Sequence, residues 1–432
     1  MYHEEFLNTL ITGVKPALGC TEPVAVGLGV AKAMDNLDKD NIEEITVRVS
    51  PNIYKNGMGV GIPGTKEIGL VFASALGAVC GDSSLGLEVF RNVNDEYVKQ
   101  AEKLIEDKKV NVILEENEGN FVIITDIKTK DGVGKSIIKN SHTNIVYEEK
   151  NGEVLLNNLD EKVEKKAEKN GYMNDVKIDD IIEFIEEVDY EDIKFLLDGI
   201  DTNMKIAAVG LKEEPGAGLG AALKRLMDKK ILPEDLTNKA KMVAAAACDA
   251  RMAGINMPVM SSDGSGNQGI MAIVPVAVVC KELELSDEKT ARALALSHLV
   301  TAYIKVFNGN LSPVCGCAIA AGIGSSAGIT WAMDGTNEQV KIAIKNIIGT
   351  LSGLVCDGAK GGCAFKIATA TTEAINQALL ALENIEVNNT DGILAPSVEQ
   401  SIRNLGQFSR KGMLNADKEI IKIMENTLEN LN

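Results

Sequence analysis

The sequence is poor in aromatic residues, in histidine and in basic charge. Aromatic residues make up only 4% of its 432 positions, so a core must be built from aliphatic and small side chains. Only three histidines are present and no HExxH motif occurs, which argues against a histidine-rich zinc site. Lys and Arg number 44 against 62 Asp and Glu, a net charge of −18. The chain therefore lacks the basic surface typical of proteins that bind nucleic acid or anionic membranes.

A secretory signal is also missing. The first sixteen residues contain no basic segment followed by an apolar one, so we expect a cytoplasmic protein. Residues Leu311–Met333 carry no charge and must be considered as a membrane span, but Pro313 and four glycines favour a buried helix. In a reducing compartment the eight cysteines are expected to be ligands, nucleophiles or core thiols rather than disulfides.

The order of segments predicts an α+β fold. Alternating apolar residues predict a strand at Ile42–Val49, which runs into a loop, SPNIYKNGMGVGIPGT, that begins at Ser50. Further strands are expected at Phe121–Ile127 and Ser136–Val146. We expect residues 1–200 to form an N-terminal α/β domain with a small sheet. Residues 201–432 are predicted to form a mostly helical domain, rich in Ala and Gly, that carries the chemistry.

Two regions complete this prediction. Residues 1–35 are predicted to be helical and able to pack on the second domain, with Thr21 capping a helix. The charge-dense region Glu149–Lys194 is predicted to be a solvated surface that ends in an amphipathic helix at Ile181–Leu197.

The segment Gly264–Gly269, GSGNQG, matches the GxGxxG fingerprint of dinucleotide-binding proteins. A helical pattern precedes it where that fingerprint requires a strand, so we interpret it as a loop whose amides, with Ser265, Asn267 and Gln268, suit a carboxylate. His298, Cys80, Cys248 and Cys280 lie in apolar helical patterns and are predicted to be core residues.

Cys20 differs from these thiols because it directly precedes a helix start. Unpaired amides at a helix N-terminus stabilise a thiolate, and Lys15 is close in sequence. This position would lower the thiol pKa, and two interpretations remain open on the residues alone: a reactive thiol and a structural one.

Four more cysteines lie between Leu311 and Lys366, as the motifs LSPVCGC and CDGAKGGCAFK. Glycines flank both pairs and leave the backbone free to turn around a bound group. Three interpretations remain open on this pattern: buried thiols, iron–sulfur ligation and a zinc site.

Taken together, the motifs resemble those of the L-cysteine desulfidase family, which is related to the alpha subunits of bacterial iron–sulfur L-serine dehydratases. The segments that carry the resemblance run from Lys15 past Lys366 and are KPALGCTEP, SPNIYKNGMGVGIPG, SHTNIV, SDGSGNQGI, SHLVTAYIK, LSPVCGC and CDGAKGGCAFK.

The resemblance implies a 4Fe–4S lyase that converts L-cysteine to pyruvate, ammonia and hydrogen sulfide without pyridoxal phosphate. It implies cluster ligands at Cys315, Cys356 and Cys363, with one iron left open to bind the departing sulfur, and leaves the role of Cys317 open. It also implies that Cys20 is the base that removes the α-proton.

The other motifs are then expected to hold the two ends of an amino-acid substrate. Their polar side chains are Ser50, Asn52, Lys55, Asn56, His142, Arg251, Ser265, Asn267 and Gln268. Expected partners are this small molecule and, as an open possibility, a second copy of the chain, with neither nucleic acid nor membrane.

Two rival functions fit the same pattern. An iron–sulfur L-serine dehydratase would expel hydroxide in place of sulfide. A non-catalytic iron–sulfur sensor would need no base.

Overall fold

The computed structural model describes residues 2–35, 37, 39–115, 121–159, 170–309 and 312–429. Within these residues the chain is a mixed α/β protein with seventeen α-helices, a six-stranded sheet and a two-stranded sheet. The predicted mixture of many helices with a small sheet is confirmed, and the division into domains near residue 200 stays a prediction. Leu311 and residues 160–169 of the charge-dense region lie outside the described residues.

The helices before residue 200 are α1 His3–Gly13, α2 Thr21–Met34, α3 Pro51–Gly57, α4 Gly69–Cys80, α5 Asp95–Glu106, α6 Ile178–Glu187, α7 Tyr190–Ile193 and α8 Asp198–Glu213, the last of which crosses that position. Those after it are α9 Leu219–Asp228, α10 Leu236–Met252, α11 Gly266–Glu282, α12 Asp287–Asn308, α13 Ala320–Ala332, α14 Asn337–Leu351, α15 Cys363–Leu382, α16 Val398–Gln407 and α17 Ala416–Glu429. The strands are β1 Pro16–Leu18, β2 Ile42–Val49, β3 Val110–Leu114, β4 Val122–Thr129, β5 Gly132–Lys139, β6 Ile145–Lys150, β7 Glu153–Asn157 and β8 Pro258–Met260.

The large sheet has the order β3-β2-β4-β5-β6-β7, with β2 parallel to β3 and the other neighbours antiparallel. Strands β2 and β4 confirm two of the predicted strands. The prediction of one strand over Ser136–Val146 is wrong, because β5 ends at Lys139 and β6 begins at Ile145. His142 lies in the turn between them, at the end of these two strands and not within a strand.

Two helices cover one face of this sheet, because their small residues allow close packing. Val26, Leu28 and Val30 of α2 share a buried core with Ile45 and Ile123 of the sheet. Helix α4 packs against α2. Ile421 of the C-terminal helix α17 belongs to the same core, so the end of the chain returns to the N-terminal layer.

The second core is larger and lies among α10 to α16. It includes Phe6 and Leu10 of α1, and the residues Ile178, Ile181 and Ile185 of α6. The charge-dense region is thus not only a solvated surface, because the apolar side of α6 lies in this core.

The N-terminal segment joins this helical body through a two-stranded sheet. Strand β1 pairs with β8 antiparallel, with Ala17 opposite Val259. The Ser261 hydroxyl donates to the Lys15 carbonyl at 2.7 Å. These bonds place the start of α2, and with it Cys20, against α10 and α11.

No helix in the described parts of the chain is long and apolar enough to cross a membrane. Leu311–Met333 was predicted to be one buried helix. Its described residues form a loop that holds Cys315 and Cys317, followed by the buried helix α13.

Candidate active site

Two segments that are far apart in sequence hold Cys315 and Cys356 side by side. The Cys315 amide donates to the Leu354 carbonyl at 2.8 Å, and the Cys356 amide donates to the Pro313 carbonyl at 2.7 Å. Cys363 is the first residue of α15. The predicted ligands Cys315, Cys356 and Cys363 are therefore presented by a paired loop and a helix start.

The thiols of this group shift the pKa values of one another. A hydrogen bond from Cys317 lowers the pKa of Cys315 to about 7. Hydrogen bonding to Cys315 and burial raise the pKa of Cys317 well above its usual value. Burial raises the pKa of Cys356, and it raises that of Cys363 to about 12, with the charge of Cys315 adding to both. The four sulfurs thus lie in one neighbourhood, and Cys317 is a hydrogen-bond donor to Cys315 within it.

The loop between Cys356 and Cys363 is braced by a carboxylate and two lysines. Asp357 forms ion pairs with Lys360 and Lys366. The Lys366 ammonium also donates to the Val355 carbonyl at 2.8 Å. Two pairings within ten residues fix the turn that presents the cysteines. No sequence argument singled out Asp357, Lys360 or Lys366.

Helix α3 packs directly on this loop. Gly59 and Lys360 form a parallel bridge, and Gly358 lies so near α3 that a Cβ atom there would be 2.0 Å from the Lys55 carbonyl oxygen. The interpretation of Ser50–Gly57 as a loop is wrong, because Pro51 at the first helical position and the following residues form α3. Asn52, Lys55 and Asn56 lie on this short helix.

Lys55 is buried beside the cysteines. Its side chain is 2% exposed, and its charge acts to lower the pKa of Cys356 against the effect of burial. The ammonium pairs with Asp417 of α17 at 2.5 Å. Asn56 is also buried. Ser50 begins α3, and its hydroxyl accepts a hydrogen bond from the Val122 amide at 3.1 Å, which ties α3 to β4.

Cys20 is the N-cap residue of α2, a place that the sequence prediction gave to Thr21. Its side chain is 3% exposed, and its charge acts on Cys363. The predicted lowering of its pKa is wrong, because burial raises the pKa of the Cys20 thiol to about 11. The cation that opposes this rise is Arg251, and not Lys15.

Arg251 braces the Cys20 turn from α10. Its Nη2 atom donates to the Gly19 carbonyl at 2.6 Å, and its Nη1 atom donates to Asn267 Oδ1 at 2.9 Å. Its Nε atom is buried without a partner. Because two branches of the guanidinium are already bound within the protein, Arg251 and Asn267 form a support for Cys20.

Cys248 lies on the same side of α10, three residues before Arg251. It was predicted to be an inert core thiol, and it is fully buried. Burial raises its pKa well above the usual value, and the charges of Cys363 and Cys20 raise it further. Cys248 thus lies close to both the predicted base and a predicted ligand. Its i, i+3 spacing from Arg251 was the sequence signal that could have placed it there.

Gln268 reaches the cysteine loop from the first turn of α11. A Cβ atom at Gly316 would lie 2.7 Å from Gln268 Nε2, and Gln268 Oε1 is buried without a partner. The interpretation of GSGNQG as a loop is wrong beyond Ser265, which is the N-cap of α11. Asn267 and Gln268 are helical residues.

His142 lies in the turn between β5 and β6. Its ring packs edge-on against Phe121 at a centroid distance of 4.7 Å, and its Nε2 atom is buried without a partner. Burial lowers the pKa of His142, while the charge of Glu22 acts to raise it. Glu22 also acts on Cys20, so the histidine lies near the first turn of α2.

His298 takes part in a separate buried polar group. Its Nδ1 atom lies 2.8 Å from the Ser262 hydroxyl, and burial lowers its pKa to about 3. Nearby, Lys305 pairs with Asp263 at 2.9 Å. These contacts support the turn before α11, and the prediction of a core histidine is confirmed.

The donor set suits an iron–sulfur cluster better than a single metal ion. Among the described residues, no group of three or more His, Cys, Asp or Glu side chains converges on one ion position. In a cluster, the thiolates bind different irons and need not converge on one point. Sulfur donors on loops, with the charges of Lys55 and Lys366 acting on Cys356, fit a cluster whose thiolate ligands are anionic.

Two surface grooves of about 740 and 670 Å³ lie on the helical body. Neither is lined by a cysteine. The candidate site is therefore marked by the convergence of buried functional groups and not by the size of a groove.

Comparison with known proteins indicates independently which family the chain belongs to. A family model described as serine dehydratase alpha chain matches residues 84–422. A UPF0597 protein of Clostridioides difficile is 46% identical over 423 residues, which cover 97% of this chain and 98% of that protein. A UPF0597 protein of Caldanaerobacter subterraneus is 44% identical over 417 residues, which cover 96% and 97% of the two chains. A third, of Desulfatibacillum aliphaticivorans, is 43% identical over 420 residues, or 95% of each.

Proposed function

Because the chain belongs to the serine dehydratase alpha chain family, we propose that it is an iron–sulfur lyase acting on a small L-amino acid, with L-cysteine as the substrate. The observation that carries the proposal is the convergence of Cys20 with the cysteine loops. Residues separated by about three hundred positions are brought into one buried site, as acid–base chemistry beside a bound cofactor requires.

Cys315, Cys356 and Cys363 would hold a 4Fe–4S cluster. Bound by three thiolates, such a cluster would supply Lewis acidity for the departing group. Cys317 stays a neighbour that donates to Cys315. As the free thiol in this arrangement, it supports the ligand loop.

Cys20 would accept the α-proton. Its high pKa makes the thiolate a strong base once formed, and Arg251 is the group that favours the thiolate. Loss of the α-proton and of sulfide leaves aminoacrylate, which tautomerises and hydrolyses in water to pyruvate and ammonia. This balance needs no pyridoxal phosphate.

The groups left without partners suit the two ends of the substrate. Gln268 Oε1 and the neutral His142 ring each offer a buried acceptor for the substrate ammonium. Lys55 offers positive charge for the carboxylate. Ser50, Asn52, Arg251 and Asn267 have partners within the protein, which favours supporting roles for them. Asn56 and Ser265 remain candidates for contacts with the carboxylate.

The first test measures iron and acid-labile sulfide in protein prepared without oxygen, followed by two assays: sulfide released from L-cysteine and pyruvate released from L-serine. We expect about four irons per chain, as in a 4Fe–4S cluster, and sulfide from L-cysteine. Pyruvate from L-serine alone would replace the substrate in our proposal with L-serine. The absence of iron would exclude the whole class.

A Cys20→Ala variant separates the lyase from a sensor. We expect it to keep its iron and lose activity by roughly 10²–10⁴-fold, the usual contribution of a positioned base. Full activity with an intact cluster would remove Cys20 from the mechanism. A Cys80→Ala variant, which changes a buried thiol of the N-terminal core, is the matched control and should retain activity.

A further inference from the structure

The C-terminal helix α17 lies far from the cysteine loops in the order of elements, yet one of its side chains reaches the site. Asp417 Oδ1 lies 2.5 Å from Lys55 Nζ. The lysine side chain is 2% exposed and the aspartate side chain 23% exposed. Among the described residues, Asp417 alone forms an ion pair with this buried ammonium.

Packing reinforces this ion pair. Ile421, one turn after Asp417, is buried in the core shared by α2, the sheet and α3. Tyr54, next to Lys55, belongs to the same core, and burial raises its pKa, with Glu425 of α17 adding to the rise. Helix α17 is therefore seated along α3 over more than one turn.

Helix α3 in turn rests on the loop that holds the cysteines. Gly358 contacts the Lys55 carbonyl, and Gly59 pairs with Lys360. A displacement of α3 would move both the Lys55 ammonium and the surface that packs against the Cys356–Cys363 loop. The position of this charge beside Cys356 thus depends on a contact with the far end of the chain.

We propose that Asp417 is a positioning residue for the site: it holds the Lys55 ammonium beside Cys356, and α17 fastens α3 over the cysteine loop. The inference rests on the proposed function for its effect on catalysis, whereas its structural part stands without that function. The Lys55 ammonium would then have two anionic partners, the Asp417 carboxylate and an anion in the site. The ion pair with Asp417 holds the ammonium where it can bind that anion.

The test uses the full-length chain with three changes in α17. Asp417→Asn removes the charge and keeps the shape, Asp417→Glu keeps the charge, and Glu419→Gln changes an exposed carboxylate on the same helix as a matched control. Hydrogen exchange of the α3 amides in the chain prepared without oxygen reports on the fastening and does not require activity. We expect exchange to be at least about tenfold faster in Asp417→Asn, because removing one partner leaves a buried charge unpaired. Asp417→Glu should restore much of the protection, and Glu419→Gln should match the unchanged protein.

A double-mutant cycle with Lys55→Met identifies the route of the effect. If Asp417 acts through Lys55, Asp417→Asn should add little to the exchange rates once Lys55 is methionine. Independent, additive effects of the two changes would overturn the proposal, as would unchanged α3 exchange in Asp417→Asn.

The catalytic part is read in reconstituted protein with L-cysteine. We expect Asp417→Asn to raise KM about tenfold with a smaller change in kcat, since a displaced ammonium weakens binding of the substrate carboxylate. A fall in kcat alone would overturn this assignment. If no variant, nor the unchanged protein, turns over an amino acid, the lyase proposal fails, while the exchange data still decide whether Asp417 fastens α3.

Discussion

Arg251 stabilises the turn at Cys20 and affects the pKa of the Cys20 thiol. It binds the Gly19 carbonyl and Asn267, and it opposes the effect of burial on the Cys20 thiol. A cation in this position acts twice, because it fixes the turn before α2 and favours the thiolate over the thiol.

The pH dependence of catalysis should therefore shift when Arg251 is changed. Burial raises the pKa of Cys20 to about 11 and Arg251 lowers it, so removing the cation raises this pKa further. In Arg251→Met the rising limb of kcat/KM should move to higher pH by roughly one unit. Arg251→Lys, which retains the charge, should move less. A rising limb at the same pH in both variants would show that Arg251 does not act on the base.

His298 should weaken the protein in acid. Burial lowers its pKa to about 3 from an ordinary value of 6.5. The unfolded chain thus takes up a proton below pH 6.5, while the folded chain does not. This stability is complete above pH 6.5 and is lost progressively as the pH falls towards 3, by at most about 4–5 kcal/mol.

The check is thermal unfolding of the unchanged protein and His298→Asn between pH 7 and 4. The variant retains a polar partner for Ser262 and should show a flatter decline in Tm with acid. Equal slopes would mean that His298 becomes charged in the folded state without cost.

At the scale of elements, the site depends on the fit between α3 and the Cys356–Cys363 loop. Gly358 has a φ of +95°, and an added Cβ would meet the Lys55 carbonyl. Gly361, in the same loop, has neither a positive φ nor any atom within 4 Å of an added Cβ. The two glycines offer a matched pair in one motif.

Gly358→Ala should lower iron content several-fold, because backbone strain and the clash with α3 displace the cysteine loop. Gly361→Ala should retain iron close to the unchanged level. Iron content after anaerobic reconstitution, with circular dichroism to verify folding, distinguishes the two. Equal iron in both variants would show that the packing of α3 on the loop is not needed for cluster binding.

The sequence predicted which cysteines lie together better than it predicted the local structure around them. Strands β2 and β4 follow from alternating apolar residues, whereas α3 and the first turn of α11 were predicted to be loops. Their glycines and polar residues are typical of turns. Packing on the Cys356–Cys363 loop stabilises α3, and contact with Arg251 stabilises the first turn of α11. The local sequence pattern does not indicate such tertiary contacts.

The pKa of Cys20 was predicted in the wrong direction for a similar reason. A helix start lowers a thiol pKa only where its effect exceeds that of burial, and the degree of burial of Cys20 could not be read from its neighbours in sequence. The roles of Asp357 and Lys366 were equally hidden, since ion pairs within a loop depend on its turn. Cys20 and the three predicted ligands lie in one neighbourhood, and their roles stay predictions.

At the scale of the whole molecule, the apolar core is far larger than the group of cysteines that would bind a cofactor. It extends among α10 to α16, includes Cys315, and has Cys317, Cys356 and Cys363 packed against it. Small metal-dependent domains differ, because metal binding supplies their folding free energy.

Removal of the cluster by a chelator and an oxidant should therefore abolish activity and leave the helical signal nearly unchanged. Far-UV circular dichroism before and after removal, together with Tm, provides the measurement. We expect the loss of a stabilising ligand to lower Tm, by the usual linkage of binding to stability. Loss of most of the helical signal would instead assign the cluster a role in folding.

The pairing of Lys55 with Asp417 also has a consequence for the order of events during synthesis. The two residues are 362 positions apart, which a ribosome spans in roughly 20–70 s at the usual rates of elongation. Until then α3 lacks its C-terminal partner, and Cys20 must also wait for β8. Insertion of a cofactor into the finished site is therefore expected only after α17 has been synthesised.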